Sequence, residues 1–198
     1  MTARAAAGAR RVVPALPWVL LAVAHTGALG GPRALAGTLL VSEDLLVAWL
    51  LAAHREARHV SFTPHDVTVT ASAVVLPLAL SAPSGLPGLP AALESIGVLL
   101  ALAATVALGR DMGILPALRD ITTRGVYRLV RHPMYAAHLL IGAAYLLGVP
   151  CWRNAAVVGG TGVLLLLRLR SEEALLGRDP RYRRYCERVP WRLVPGCY

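Results

Sequence analysis

Residues 90–109 read PAALESIGVLLALAATVALG, an apolar run of 20 residues that contains one charged side chain. A helix rises about 1.5 Å per residue, so a helix of this length spans about 30 Å, the thickness of a bilayer's hydrocarbon core. The rest of the chain has the same character, because 56% of its 198 residues are hydrophobic and 16% are charged. Soluble domains carry about 25% charged residues. The composition therefore predicts an integral membrane protein.

Other apolar runs lie on both sides of this one. Three precede it and predict three further membrane helices, at about residues 12–29, 34–53 and 67–82. Two shorter runs, 135–149 and 155–167, follow it, and the residues between them favour a tight turn. They predict a helical hairpin that returns the chain to the same side of the membrane. We expect an all-α polytopic membrane bundle with four transmembrane helices, a C-terminal helical hairpin and a cytoplasmic amphipathic tail.

The charge is strongly basic, at +9, and all 20 basic residues are arginine. The arginines gather at the ends of apolar runs, so we expect a membrane surface and not nucleic acid as the partner. Eighteen fall on one side of the predicted topology, and Arg33 and Arg153 fall on the other. The excess predicts that both termini are cytoplasmic. We expect the membrane to be a bacterial inner (plasma) membrane. A cleaved signal peptide at the N-terminus is the less favoured alternative.

The cysteines give no sign of a metal site or a disulfide framework. Cys151, Cys186 and Cys197 are far apart and odd in number. No histidine or cysteine cluster has the spacing of a zinc site. We therefore expect no bound metal.

Glu43 and Asp44 fall near the middle of the second predicted helix. Carboxylates at that depth are costly and are candidate functional sites by default. They are the main support for an alternative in which the chain is a non-enzymatic transporter or assembly protein. The structural alternative is that they face the interior of the bundle and pair with His25 or with a loop arginine. A proton or cation pathway would need several such residues on different helices.

The segment after the fourth predicted helix is polar. Thr122 or Thr123 is expected to cap a short helical turn. Pro133 suits the first turn of the hairpin helix, which places His132 at its cap and Arg131 just outside it. Backbone N–H groups at this helix start would face an anionic group.

A second polar segment follows the hairpin. Arg168 and Glu172 are four residues apart, and Arg170 and Glu173 are three apart, so helix-surface ion pairs are the structural explanation.

Asp179-Pro180 then opens a short helix that carries Tyr182, Tyr185 and several arginines. The structural alternative for this tail is a basic amphipathic helix that lies on anionic lipid.

These polar elements follow one another in a definite order. They are Gly125-x-Tyr127-x-x-x-Arg131-His132-Pro133-x-Tyr135, then Glu172-Glu173, then Tyr182-x-x-Tyr185, then Val189-Pro190-x-Arg192-x-x-Pro195-Gly196. In this order and spacing they resemble the isoprenylcysteine carboxyl methyltransferase and phospholipid methyltransferase superfamily. The resemblance covers about residues 119–196, and the first four helices match only in being membrane helices.

The resemblance implies a methyltransferase that uses S-adenosyl-L-methionine. It implies a cofactor-binding region at 111–198 and a probable acceptor side at 1–110. The implied cofactor-binding residues are His132, Pro133, Tyr135, Glu172, Glu173, Tyr182 and Tyr185, and Arg131 and Glu173 are the implied catalytic residues.

Each implied residue can be matched to a part of the cofactor. His132 and the N–H groups behind Pro133 would receive its carboxylate, and Glu172 or Glu173 its ammonium or ribose hydroxyls. The tyrosines would face the adenine or the sulfonium. Arg131 would hold a glutamate in place or receive an anionic acceptor. The acceptor would be lipophilic: an isoprenylcysteine-like carboxylate, a lipid amine or a small thiol.

Related membrane reductases have a similar C-terminal hairpin and bind a nicotinamide cofactor. They form a third hypothesis. A nicotinamide cofactor would need more phosphate-binding groups than the short C-terminal tail offers.

Overall fold

The computed structural model describes residues 15–26, 34–54, 59–80, 86 and 88–198. These residues are mostly helical, which confirms the helical class. The α-helices are α1 Leu16–His25, α2 Ala34–Ala52, α3 Pro64–Val75, α4 Gly88–Leu108, α5 Pro133–Gly148, α6 Trp152–Leu176 and α7 Pro180–Arg188. The predicted first run, 12–29, extends beyond the described residues at both ends, and the segment assigned to a signal peptide or cytoplasmic N-terminus lies mostly outside them.

Within the described residues, one helix is both long and apolar enough to cross a bilayer. It is α4 with the 3-10 turn that continues it, Gly88–Asp111. Pro133–Gly148 is apolar but shorter. The prediction of four membrane spans is therefore not confirmed, and that number stays a prediction.

The third predicted helix is shorter than its apolar run. α3 begins at a cap in which Thr63 Oγ1 accepts from the Asp66 N–H, and the Asp66 carboxylate accepts from the Thr63 and Ser61 hydroxyls. Beyond Val75 the helix tightens into a 3-10 turn, Leu76–Ala79, which contains Pro77. Proline removes a backbone donor and clashes with the preceding turn of a helix, so the regular helix stops before the apolar run does.

Two short strands depart from the all-α prediction. β1 His59–Val60 pairs antiparallel with β2 Ala117–Leu118. The pair joins the segment after α2 to the segment after α4, and so brings together two connections that lie far apart in the sequence.

α4 and α5 pack at close range. A Cβ atom at Gly97 would lie 2.7 Å from Ile141 Cγ1 and 3.2 Å from the Ala137 carbonyl oxygen, which leaves no room for a side chain. Ala101 and Ala104 continue this stripe and are completely buried. Small residues let helix backbones approach closely, so the stripe holds the start of α5 beside the end of α4.

The hairpin consists of α5 and α6, joined by residues 149–151. Asn154 is completely buried, and its Nδ2 donates to the Val149 carbonyl at 2.9 Å, which closes the turn. α6 extends nine residues past the predicted end at residue 167, to Leu176. Glu172 and Glu173 therefore lie on the hairpin's own second helix.

The predicted threonine cap is wrong. The 3-10 turn Gly125–Arg128 begins after Arg124, which occupies the N-cap position without a side-chain cap. Gly125 adopts a φ of +58°, a left-handed conformation that favours glycine. This reversal, and not a hydroxyl from Thr122 or Thr123, starts the turn.

Candidate functional site

The start of α5 is held by backbone hydrogen bonds to the tail. The Arg131 N–H donates to the Trp191 carbonyl at 2.9 Å, and the His132 N–H donates to the Arg192 carbonyl at 2.9 Å. His132 is the N-cap of α5 and Pro133 its first residue, as the sequence predicts. These bonds fix the side chains of Arg131 and His132 against the end of α6.

Glu173 is the most connected carboxylate in this region. Its Oε2 lies 2.7 Å from Arg192 Nε, and its Oε1 lies 3.3 Å from both His132 Nε2 and Arg131 Nη2. The Tyr182 hydroxyl donates to the same Oε1 at 3.4 Å. The expected surface pair with Arg170 is replaced by these partners, which come from the α5 start and the tail.

This environment sets the charge of Glu173. Burial raises the pKa of its carboxyl, but the hydrogen bonds from His132 and Arg192 and the charge of Arg131 outweigh burial. Together they hold the pKa at about 2. Glu173 is therefore an anion at neutral pH that ties the helix to its basic neighbours.

Glu172 faces the other side of the same histidine. Its Oε1 accepts from the Tyr135 hydroxyl at 2.6 Å and from Arg168 Nε at 3.3 Å, the i,i+4 pair expected from the sequence. Its Oε2 lies 3.8 Å from His132 Nδ1. The His132 ring stacks on the Tyr135 ring at 5.4 Å between centroids. His132 is thus held between two carboxylates and against an aromatic face.

The tyrosines of α7 form the outer part of this region. Tyr182 and Tyr185 are buried with Val189, and the Tyr185 hydroxyl donates to the Tyr127 carbonyl at 2.7 Å. Burial raises the pKa of Tyr185 to about 12. Arg131 Nη1 donates to Cys186 Sγ at 2.7 Å. α7 is therefore fixed to both the 3-10 turn and the α5 start, with its tyrosines facing inward.

A cavity of about 160 Å³ lies between these groups and the loop after α4. The sequence-predicted residues that line it are Arg131, His132, Tyr135, Glu172, Tyr182 and Tyr185. Pro133 and Glu173 do not line it. Glu173 instead lies behind the residues that line the cavity and orients three of them, Arg131, His132 and Tyr182.

Two of the backbone donors predicted to bind an anion are already engaged. The Tyr135 and Ala136 N–H groups donate to the His132 carbonyl at 3.1 and 3.2 Å. The first turn of α5 therefore has fewer amides for a ligand than the sequence suggested, and the side chains must supply more of the binding.

Several residues that line the cavity were not predicted as site residues. They are Asp111, Arg119, Asp120, Tyr127 and Arg168, of which Arg168 was assigned only to an ion pair. Burial lowers the pKa of Arg119, while the charge of Asp111 acts in the opposite direction. One sequence signal could have indicated Asp111, Arg119 and Asp120 as site residues: the loop after α4 carries charges of alternating sign next to an apolar helix.

Glu43 and Asp44 lie outside this region. Both are buried, and His25 Nδ1 lies 2.6 Å from Asp44 Oδ2. This contact is the pairing that the structural alternative predicted. Within the described part of the chain, no group of three or more histidine, cysteine or acidic side chains is arranged to hold a metal ion.

Comparison with known proteins gives one partial similarity of note. No family model matches the chain. The Delta(14)-sterol reductase TM7SF2 of Mus musculus is 30% identical over 86 residues, which are 40% of this chain and 20% of that protein. The similarity therefore covers about a fifth of the length of the curated relative.

Proposed function

We propose that the chain is an integral membrane enzyme that transfers a methyl group from S-adenosyl-L-methionine to a lipophilic or membrane-associated acceptor. In this proposal residues 111–198 bind the cofactor and residues 1–110 form the acceptor side of a four-span bundle with cytoplasmic termini. The observation that carries the proposal is His132, held between Glu172 and Glu173 at the wall of a cavity that charged side chains of both signs line.

The charges of the cavity support this cofactor. Three acidic residues line it, Asp111, Asp120 and Glu172, and three basic residues, Arg119, Arg131 and Arg168. S-adenosyl-L-methionine carries a carboxylate, an ammonium and a sulfonium, so it needs both signs of charge in one site. A cavity of mixed, balanced charge meets that need.

Methyl transfer asks little covalent chemistry of the protein. A lone pair of the acceptor forms a bond to the methyl carbon as the bond from that carbon to sulfur breaks, and neutral S-adenosylhomocysteine leaves. Alignment of the two partners and exclusion of water are the main contributions of a protein to such a step. Arg131 and Glu173 contact each other, so both act here by positioning His132 and the tail. A carboxylate or thiolate acceptor would need no general base.

The cavity must enlarge to admit this cofactor. Its volume of about 160 Å³ is below the roughly 300–1,000 Å³ typical of small-molecule sites. The loop of residues 112–122 lines one side without belonging to a long helix. Outward movement of this loop is the simplest way to open the site.

Lipid reduction with a nicotinamide cofactor is the second candidate. The similarity to a Delta(14)-sterol reductase supports it. Such a cofactor carries several phosphate charges, and the three arginines of the cavity are offset by three carboxylates. The charge balance therefore favours the methyl donor over the dinucleotide.

Calorimetry on the detergent-purified chain separates the two candidates. We expect S-adenosylhomocysteine to bind, NADPH not to bind, and Glu172→Gln to weaken S-adenosylhomocysteine at least tenfold. Glu187→Gln, which removes an exposed charge from α7, is the matched control and should change nothing. NADPH binding without S-adenosylhomocysteine binding would replace the first candidate by the second, and binding of neither would reject both. Transfer of labelled methyl groups to membrane extracts would then identify the acceptor.

A further inference from the structure

A second, larger cavity adjoins the one that contains His132. It has a volume of about 560 Å³ and lies between the ends of α2 and α4 and the segment 121–124. Leu108, Asp111, Ile121 and Thr122 line both cavities. The two cavities therefore share a wall, and a molecule in the larger one lies next to the polar site. We call the larger one the α2–α4 cleft.

One wall of the α2–α4 cleft is apolar. Leu46, Trp49 and Leu50 come from α2, and Val106 and Leu108 come from α4. Trp49 and Val106 are 62% and 63% exposed, although both are large hydrophobic residues. A wall of this kind fits an alkyl or isoprenoid chain, because an apolar chain packed against it gains dispersion contacts and leaves no polar group unpaired.

The opposite, polar end of the cleft carries two arginines. Arg110 Nε donates to the Ala53 carbonyl at 2.8 Å, and Arg124 Nε donates to the Ala107 carbonyl at 3.0 Å. Arginine commonly caps the last carbonyls of helices in this way, and here it anchors each side chain through one nitrogen. A Cβ atom at Gly109 would lie 3.6 Å from Arg124 Nη2, so the Arg124 guanidinium lies close to the residue that precedes Arg110.

The charge at this end is predominantly positive. Both arginines are exposed, and neither forms an ion pair within the part of the chain that the structure describes. Asp111 also lines the cleft, but its charge acts on Arg119. Both guanidinium groups line the same cleft, and guanidinium groups are well suited to bind phosphate or carboxylate oxygens.

We propose that the α2–α4 cleft binds an anionic amphiphile. Arg110 and Arg124 hold its phosphate or carboxylate head, and its chain lies along the wall that Trp49 and Val106 expose. The proposal rests on the proposed function in one respect, since it names an anionic amphiphile as the class of molecule presented to the polar cavity. Binding itself does not depend on methyl transfer.

The test measures binding of short-chain phosphatidylglycerol to the full chain in a neutral detergent. Phosphatidylcholine of the same chain length and inorganic phosphate serve as the other two probes. We expect the wild type to bind phosphatidylglycerol at least tenfold more tightly than either. Arg110→Gln with Arg124→Gln should remove that preference, and each single substitution should reduce it about threefold, which keeps the test usable if the double variant fails to fold.

The matched control is Arg183→Gln with Arg184→Gln, which removes two exposed charges from α7. It should leave phosphatidylglycerol binding unchanged. An equal loss in this control would show a diffuse attraction to the basic surface and overturn the proposal. Inorganic phosphate that binds as well as phosphatidylglycerol would show a site for the anion alone, and would also overturn it.

Calorimetry with S-adenosylhomocysteine on the same preparation separates this proposal from the proposed function. If the wild-type protein binds S-adenosylhomocysteine but not phosphatidylglycerol, the proposal that the cleft binds an anionic amphiphile is rejected and the proposed function is not. Wild-type protein that binds phosphatidylglycerol but not S-adenosylhomocysteine rejects the methyltransferase and leaves the cleft in place.

Discussion

Two pairs of adjacent carboxylates lie on helices of this molecule, and they have different surroundings. Glu43 and Asp44 on α2 are 6% and 3% exposed, and Asp44 contacts His25. Glu172 and Glu173 on α6 are more exposed, yet each contacts at least three polar side chains, of which only Arg168 belongs to the same helix. Burial alone therefore does not distinguish the pair that lies beside the cavity.

The difference arises from what the backbone brings to each pair. The hydrogen bonds between residues 131–132 and 191–192 place Arg131, His132 and Arg192 around one carboxylate. Beside Glu43 and Asp44, the contact that the structure describes with another segment is the one from His25 to Asp44. Glu172 in addition faces a cavity, and Glu43 does not line either of the two described above.

The largest effect is expected from Glu173→Gln. It removes the charge that three basic groups share, and hydrogen bonds to charged groups contribute about 1.5–3 kcal/mol each. We expect S-adenosylhomocysteine affinity to fall at least 30-fold, or about 2 kcal/mol, in calorimetry on purified protein. Glu43→Gln makes the same change in the α2 pair and should leave the affinity within twofold. Equal losses in both variants would erase the distinction between the pairs.

Tyr185→Phe should have the next largest effect, this time on stability. The hydroxyl of Tyr185 is buried and bonds the Tyr127 carbonyl at 2.7 Å, so its loss leaves a buried acceptor unsatisfied, at a cost of about 1–2 kcal/mol. Tyr182→Phe removes a longer contact of 3.4 Å to Glu173 and should cost less. Thermal unfolding followed by circular dichroism would rank the two, and the reverse order would mean that the contact with Glu173 holds α7.

The pH dependence of stability should distinguish Glu173 as well. Its pKa falls from an ordinary 4.5 to about 2 in the folded protein, so the stabilisation from its ionised form is complete above pH 4.5 and is lost as the pH falls toward 2. We expect the difference in free energy of unfolding between wild type and Glu173→Gln to be constant from pH 7 to 5 and to shrink below 4.5. A difference that stays constant down to pH 3 would contradict the role of the basic groups around Glu173.

The smallest effect is expected from Asp44→Asn. The amide oxygen of asparagine can still accept a hydrogen bond from His25, so the free energy of unfolding should change by about 0.5 kcal/mol, the low end of the range for a hydrogen bond. S-adenosylhomocysteine affinity should not change. A loss of binding in this variant would connect the α2 pair to the site and undo the comparison.

The local features of the site could be predicted from the sequence. The turn between α5 and α6, the cap at His132, the first-turn Pro133 and the cap at Asp179 all depend on neighbouring residues. Short-range preferences of proline and of acidic caps are enough to place them.

The long-range features could not be predicted in the same way. Glu173 has Arg170 three residues away, yet it contacts Arg192, 19 residues further along. That choice depends on the path of the tail, which no local pattern specifies. The α2–α4 cleft was missed for the same reason, since its two arginines cap helices at 57 and 17 residues' separation.

The pairing of residues 131–132 with 191–192 also has a consequence for synthesis. The two segments are 60 positions apart, which at about 5–20 residues per second corresponds to roughly 3–12 s on the ribosome. During that interval the amides of Arg131 and His132 lack their partners at 191–192, while α5 and α6 can already form. Until residues 191–192 have left the ribosome, the nascent chain can therefore have a complete hairpin and an unfinished cavity, open to whichever chaperone or protease reaches it first.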